Sequence, residues 1–344
     1  MKINSRFALK GGVQGLLLLL IALLVTFEAG LLWSQTSSWL RLGPEGTVTA
    51  LAVDPANPNT VYAGSKGGKF YKSTDGGKNW TGTELALSYN VLALLIDPQN
   101  PGTLYAGTGR GVFRSRDGGQ NWTLVNAGLT YPTVTALAID PENSSTLYAG
   151  TWGDGVFKNT QREVRWQQTD TGLQRPFIYA LAVDSKRTGS IYAGTPSGVL
   201  KSTDEGLTWT AVTPEPAPTN VSAVVVDPFD SGTLYAAANN WIPQKGYSGS
   251  LLKSTNGGES WSAVGSGLPE KQLRALAVHP STPETLYAGT EAGVFRSTDG
   301  GATWTEMNVG LTSIDVFALA IDARNPGKLY AGTADGVFQI AIDR

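Results

Sequence analysis

Short apolar runs separated by glycine-rich polar turns follow one another along nearly the whole chain, and each run is of strand length. The run Val134 to Ile139 (V-T-A-L-A-I) is almost continuously apolar, as expected for a strand covered on both faces. It is followed by a proline turn of the type at Asp54 to Pro58 and Asp97 to Pro101, and then by a strand reading T-L-Y-A-G-T. A short glycine turn, a strand reading G-V-F-R-S, a polar turn S-x-D-x-G-x-x-W and a strand starting at the tryptophan complete the unit. The pattern predicts four strands per unit, with the apolar first strand innermost.

The unit repeats. Tyrosines of the second strand stand at 62, 105, 148, 192, 235, 287 and 330, so the intervals are 43 or 44 residues except for one of 52. A period of roughly 40–45 residues rich in strand formers is the mark of propeller blades, and the single long interval localises one insertion. The last unit stops after Gly336 to Ile340 without its polar turn or tryptophan, whereas Ser38 to Gly43 matches the strand that follows each turn elsewhere. Trp39 to Leu42 is therefore expected as the fourth strand of the blade formed by Phe317 to Ile342, closing the ring and hiding its edges. The predicted fold is an all-β, seven-bladed β-propeller over residues 37–344, preceded by one hydrophobic helix.

The polar turn has five clear copies, marked by Asp75 and Trp80, Asp117 and Trp122, Asp204 and Trp209, Asn256 and Trp261, and Asp299 and Trp304; Asn159 to Trp166 is a degenerate sixth. Its Asp can accept backbone N–H bonds within its own turn, and its Gly supplies positive φ. Burying one indole removes about 150–250 Å² from water, on the order of 4–6 kcal/mol. The expectation is a structural turn in which the tryptophans outweigh the aspartates.

These strings resemble the Asp-box, or bacterial neuraminidase repeat, and together with L-A-V-D-P and L-Y-A-G-T the chain is similar over residues 38–344 to the propellers that carry it. Such propellers occur in sialidases, xyloglucan-cleaving hydrolases, sortilin-type receptors and photosystem II assembly factors. The resemblance is specific for fold and leaves function open among unrelated activities.

Residues 1–36 read as a signal peptide or signal anchor: Lys2, Arg6 and Lys10 precede the apolar run Leu16 to Phe27. A span from Gly11 to Trp33 reaches the roughly 20 residues needed to cross a bilayer, and bulky Phe27 and Glu28 make poor cleavage contexts, so an uncleaved anchor is expected. Positive charge on the N-terminal side places the propeller outside the cytoplasm.

Net charge is −2, so no basic field for nucleic acid is expected. Zero cysteines exclude disulfides, thiol catalysis and zinc–thiolate sites. The one histidine, His279, occupies a slot that is Asp in the other blades, and no metal-binding or cofactor motif is present, so neither metal nor cofactor is expected. A glycosidase needs only two carboxylates, and Asp154, Glu163, Glu291, Asp315 and Asp335 lie outside the repeat slots. The sialidase resemblance would imply an arginine cluster, a tyrosine nucleophile and an R-I-P string, which Arg175-Pro176 does not replace. The xyloglucan-cleaving resemblance implies two propellers, where this chain has one.

Propellers bind partners on the face made by the loops entering the first strand and the turns between second and third strands, where this chain departs from its own consensus. The turns supply Lys66, Arg110, Trp152, Asp154 and Glu291, and the entering loops Tyr89, Tyr131, Arg175 and Phe177. A variable slot on the first strand holds Thr49, Leu92, Thr135, Tyr179, Ser222, Arg274 and Phe317. The insertion, Asn239 to Tyr247, adds Trp241, Lys245 and Tyr247 as a surface loop. Trp152 and Trp241 are the leading contacts, because exposed aromatics anchor both sugars and proteins. The expected function is non-catalytic recognition of a protein or glycan by an extracytoplasmic, membrane-anchored scaffold of the photosystem II assembly-factor type. The alternatives are a sialidase-like or glucan-cleaving glycoside hydrolase, and a carbohydrate-binding receptor or adhesin.

Overall fold

The computed structural model describes residues 37–84, 89–160, 165–169, 177–213, 220–324 and 326–343. The expected signal segment, with its helix, lies outside the described residues, as do Arg175 and Glu163. Among the described residues no helix is long and apolar enough to cross a membrane.

Seven four-stranded antiparallel sheets make up the fold. Blade 1 begins with Val48–Val53, blade 2 with Val91–Ile96, blade 3 with Val134–Ile139 and blade 4 with Ala180–Val183; Val221–Val226, Leu273–Val278 and Val316–Ile321 begin blades 5, 6 and 7. Each of these first strands touches the next around a closed ring, with that of blade 7 against that of blade 1. Six blades are built from consecutive strands, and blade 7 takes its fourth strand, Leu40–Gly43, from the other end of the chain. Leu40 pairs with Gln339 and Arg41 with Phe338, as the missing last turn led one to expect. Trp39 lies just before the strand, 4% exposed among Leu311, Val316 and Ile340, and its indole N–H donates to the Met307 carbonyl.

The repeated Y-A-G string explains how neighbouring blades meet. A Cβ at Gly64 would lie 2.3 Å from Val91 of blade 2, and one at Gly332 would lie 2.9 Å from Val48 of blade 1. Only glycine lets the first strand of the next blade approach this closely. The second-strand tyrosines beside these glycines are buried throughout, none more than 3% exposed. Loss of solvation pushes the phenols of Tyr62, Tyr192, Tyr235 and Tyr330 up to about 12, with the nearby Asp54, Asp184, Asp227 and Asp322 adding to it. Lys201 lies 5.7 Å from the Tyr192 ring, and both its ammonium and the Tyr192 hydroxyl donate to the Gly257 carbonyl in the next blade, at 2.6 and 3.1 Å. Lys253 repeats the latch on Tyr235 and Gly300.

The polar turns sit at the outer edge, next to these latches. In blade 1 Ser73 Oγ donates to Asp75 Oδ1 at 2.8 Å, and Asp75 accepts the Asn79 backbone N–H at 2.9 Å and the Asn79 amide at 2.7 Å. These bonds, led by the Asn79 backbone N–H, hold the Asp75 carboxyl down at about 2, and Asp117, Asp204 and Asp299 share the arrangement. Asn256 makes the same backbone bond, from Ser260 N–H at 2.9 Å, so the turn closes without a charge.

The tryptophans differ from expectation. Trp304 is buried, but Trp80, Trp122, Trp209 and Trp261 are only half-buried. The tyrosines occupy the fully dry positions instead.

His279 fills its slot as a turn residue. Its Nδ1 accepts the N–H groups of Ser281 and Thr282, at 3.2 and 3.1 Å, as Asp54 accepts those of Ala56 and Asn57 in blade 1. Because Nδ1 accepts, Nε2 carries the proton and donates to the Asp343 carbonyl at 3.0 Å.

Candidate functional site

Between second and third strands a hydroxyl normally closes the turn. Thr108 Oγ1 donates to the Gly111 carbonyl at 2.9 Å, and Ser65, Thr151, Thr195, Thr290 and Thr333 do the same in their blades. In blade 5 this position is Ala238, which has no such group, and the strands run on past it. The expected loop is therefore an extended hairpin of two nine-residue strands, Leu234–Ile242 and Gly246–Ser254.

Asn239 fixes the root of this hairpin. It is fully buried, its Oδ1 accepts Leu273 N–H at 2.8 Å and its Nδ2 donates to the Leu273 carbonyl at 2.8 Å, so the hairpin is tied to the first strand of blade 6. At the tip Trp241 is 61% exposed and packs edge-on against Tyr247, ring centroids 5.1 Å apart. Lys245 is exposed beside them.

Tyr247 hangs over a cavity of about 390 Å³ whose other walls are Leu92, Thr135, Trp152, Tyr179, Asn220, Ser222, Asn239, Gln272 and Arg274. This is within the range typical of small-molecule sites, roughly 300–1,000 Å³. Beneath it runs a channel of about 260 Å³ lined by the alanines, leucines and valines of the first strands, with Phe317.

Trp152 is the hub of the aromatic wall. It is 45% exposed, and its ring lies 5.4 Å from Phe177 and 5.6 Å from Tyr179. A backbone bridge joins Trp152 to Phe177 in the loop entering blade 4. Tyr131, from the loop entering blade 3, reaches to within contact of Gly153, and Tyr89 lies against Gly109. Burial raises the Tyr179 phenol, and Tyr247 adds to the effect.

The opposite side of the mouth is ionic. Arg274 Nη2 lies 2.7 Å from Glu291 Oε1, Nη1 contacts Asp315, and the guanidinium sits 4.5 Å from the centre of the Phe317 ring. Arg41 grips Asp335 through two side-chain contacts, at 2.9 and 3.1 Å. Asp154 Oδ2 accepts the Thr130 hydroxyl at 2.6 Å.

Of the residues singled out from sequence, Leu92, Thr135, Trp152, Tyr179, Ser222, Tyr247 and Arg274 line one cavity. Phe177, Trp241, Glu291 and Phe317 support them through the contacts above. Lys66, Tyr89, Arg110, Tyr131, Asp154 and Lys245 lie on the turns and loops beyond its walls. The variable first-strand slot is mixed: Thr49, Thr135 and Ser222 turn their hydroxyls onto carbonyls of the following blade, Val91, Ile178 and Leu273. They stitch blades together. Asn220 and Gln272 were not singled out, and Asn239 entered only as the first residue of the insertion; the hydroxyl missing at Ala238 is the sequence signal that marks its role. Among the described residues no group of three or more His, Asp and Glu side chains is placed to hold a metal ion.

Comparison with known proteins agrees with this architecture. A family model described as Sortilin, neurotensin receptor 3 matches residues 197–314. Xyloglucanase Xgh74A of Acetivibrio thermocellus is 32% identical over 84 residues, 21% of this chain and 10% of that protein. Among solved structures, the GH74 xyloglucanase from Xanthomonas campestris superposes with a TM-score of 0.71 at 21% identity, covering 88% of this chain and 53% of that one. YCF48 bound to D1 peptide gives a TM-score of 0.67 at 15% identity, covering 90% of this chain and 98% of that one. The chain thus spans a tenth of the curated xyloglucanase and about half of the solved one. At these identities the structures establish a shared fold: the chain resembles the Asp-box propellers of the sortilin, xyloglucanase and YCF48 types.

Proposed function

We propose that this chain is a non-catalytic binding propeller that holds a segment of a protein or glycan partner at the mouth of its channel. The observation that carries the reading is the cavity walled by Trp152, Tyr179 and Tyr247 and overhung by the extended hairpin of blade 5. Half-exposed aromatic rings around a concavity, with amide side chains between them, are the usual equipment for anchoring a ligand. The one-propeller layout shared with YCF48 favours a scaffold of the assembly type, working outside the cytoplasm and tethered by the apolar segment of residues 1–36.

The competing reading is a glycoside hydrolase, favoured by the local sequence similarity to a xyloglucanase. Glycosidases place one carboxyl as proton donor and a second as base or nucleophile across the scissile bond. At this mouth Glu291 and Asp315 both serve as acceptors for the same Arg274 guanidinium, an arrangement suited to neutralising a cation. Presenting the full-length protein to peptide and neutral-glycan arrays, and separately to xyloglucan with assay of released reducing ends, decides between the two. Binding without release supports the scaffold. Release that disappears in Glu291→Gln or Asp315→Asn overturns it.

A further inference from the structure

Among the described residues lining the mouth cavity, Arg274 is the one charged side chain. At the equivalent first-strand slot, blades 1, 3 and 5 stitch to their neighbours with a neutral hydroxyl, from Thr49, Thr135 and Ser222. Blade 6 instead brings an arginine, and four side chains from blade 6 and the start of blade 7 meet it. Glu291, in the turn of the same blade, binds Nη2 at 2.7 Å, and Asp315, entering blade 7, binds Nη1. Gln272 accepts Nε–H at 3.1 Å, and Phe317 covers the guanidinium face at 4.5 Å.

An arginine that grips a ligand carboxylate presents its two-nitrogen fork to it. Here both terminal nitrogens already hold carboxylates, and two negative charges answer one positive. An anionic ligand would meet excess negative charge and a guanidinium whose two terminal nitrogens are each already paired with a carboxylate. An uncharged ligand meets no such barrier. It can lay a flat face on Trp152 and hydrogen-bond to the Tyr179 and Tyr247 hydroxyls and the Gln272 amide nitrogen. Repulsion of the wrong charge is a common source of specificity.

We propose that the mouth cavity is a site for an uncharged group with a flat apolar face, and that Glu291 and Asp315 set this selectivity by masking Arg274. The proposal rests on the cavity being the binding site, as argued above, and adds the charge class of its occupant. Benzamide and benzoate are matched probes that differ in a neutral amide against a carboxylate. Saturation-transfer NMR of each with the full-length protein reads their binding.

Benzamide should bind, benzoate should bind about tenfold or more weakly, and Trp152→Ala should remove the benzamide signal. In Glu291→Gln/Asp315→Asn the freed guanidinium should raise benzoate affinity about tenfold while benzamide changes little. If that double variant melts early, each single variant should show the same shift in the benzoate-to-benzamide ratio, in smaller degree. Equal binding of the two probes to the unaltered protein, no benzamide binding, benzamide binding that survives Trp152→Ala, or a ratio unmoved by the variants overturns the proposal. Normal probe selectivity with no binding on any glycan or peptide array would leave the charge mask standing and sink the scaffold reading instead.

Discussion

Asn239 holds Leu273 from both ends of its amide, accepting the backbone N–H and donating to the backbone carbonyl, each at 2.8 Å. A hairpin that stands beyond its own sheet needs such a root. Its far strand pairs with the short fourth strand Ser262–Val264 only from Leu251 to Lys253.

Asn239→Ala leaves the buried Leu273 N–H without a partner, while the Leu273 carbonyl keeps the Ser222 hydroxyl at 2.6 Å, so a loss of about 1–3 kcal/mol is expected in urea unfolding. Asn239→Asp keeps the acceptor but places a charge against the Leu273 carbonyl, and should not rescue. Amide exchange should accelerate first from Tyr247 to Ser250, where the hairpin loses its anchor.

The ranking of tryptophans follows burial. Trp39 and Trp304 are 4% and 5% exposed, and their replacement by alanine should cost about 3–5 kcal/mol each. Trp80→Ala and Trp209→Ala, at half-buried positions, should cost clearly less in the same urea melts. Asp299→Ala removes a turn contact at the surface and should also fall below Trp304→Ala. A Trp39 variant should in addition loosen the seam where the two ends of the chain meet.

Stability should fall at both ends of the pH scale, for different groups. The carboxyls of Asp75, Asp117, Asp204 and Asp299 sit at about 2, below their ordinary 3.8, so their contribution is present above pH 4 and is lost as pH falls toward 2. Tyr62, Tyr192, Tyr235 and Tyr330 sit at about 12, above their ordinary 10, so their contribution is present below pH 10 and is lost as pH rises toward 12. Melting temperature against pH should be level between these limits. In alkali, tyrosinate absorbance from the buried group should appear together with unfolding. Smooth titration of all tyrosines in a still-folded protein would contradict this.

The blade count, the four-strand plan and the closing role of Leu40–Gly43 were legible because each rests on a pattern repeated in register, in which one deviant copy stands out against six others. The dominance of the tyrosines was not. Tyr192 and Trp209 are both large aromatics in fixed slots, and only the geometry of the outer strand says which of them solvent reaches. The mouth was legible as a set of departures from consensus, and Trp152, Tyr179, Tyr247 and Arg274 converge there. What each departure binds depends on side-chain chemistry and direction: Ser222 and Arg274 share one slot and both line the cavity, yet Ser222 places its hydroxyl on the Leu273 carbonyl while Arg274 is held by Glu291 and Asp315. The insertion was read as a loop because its length shows in the sequence, whereas its strand character follows from an absence, the hydroxyl that Ala238 lacks.

The central claim is that the mouth binds and does not cut. Trp152→Ala/Trp241→Ala removes two half-exposed rings that support no core cluster, so its melting temperature should match that of the unaltered protein while binding to the best probe of a peptide or neutral-glycan array falls at least about tenfold. Unchanged binding, or a melting temperature that drops along with it, would contradict the assignment of this face as the recognition surface.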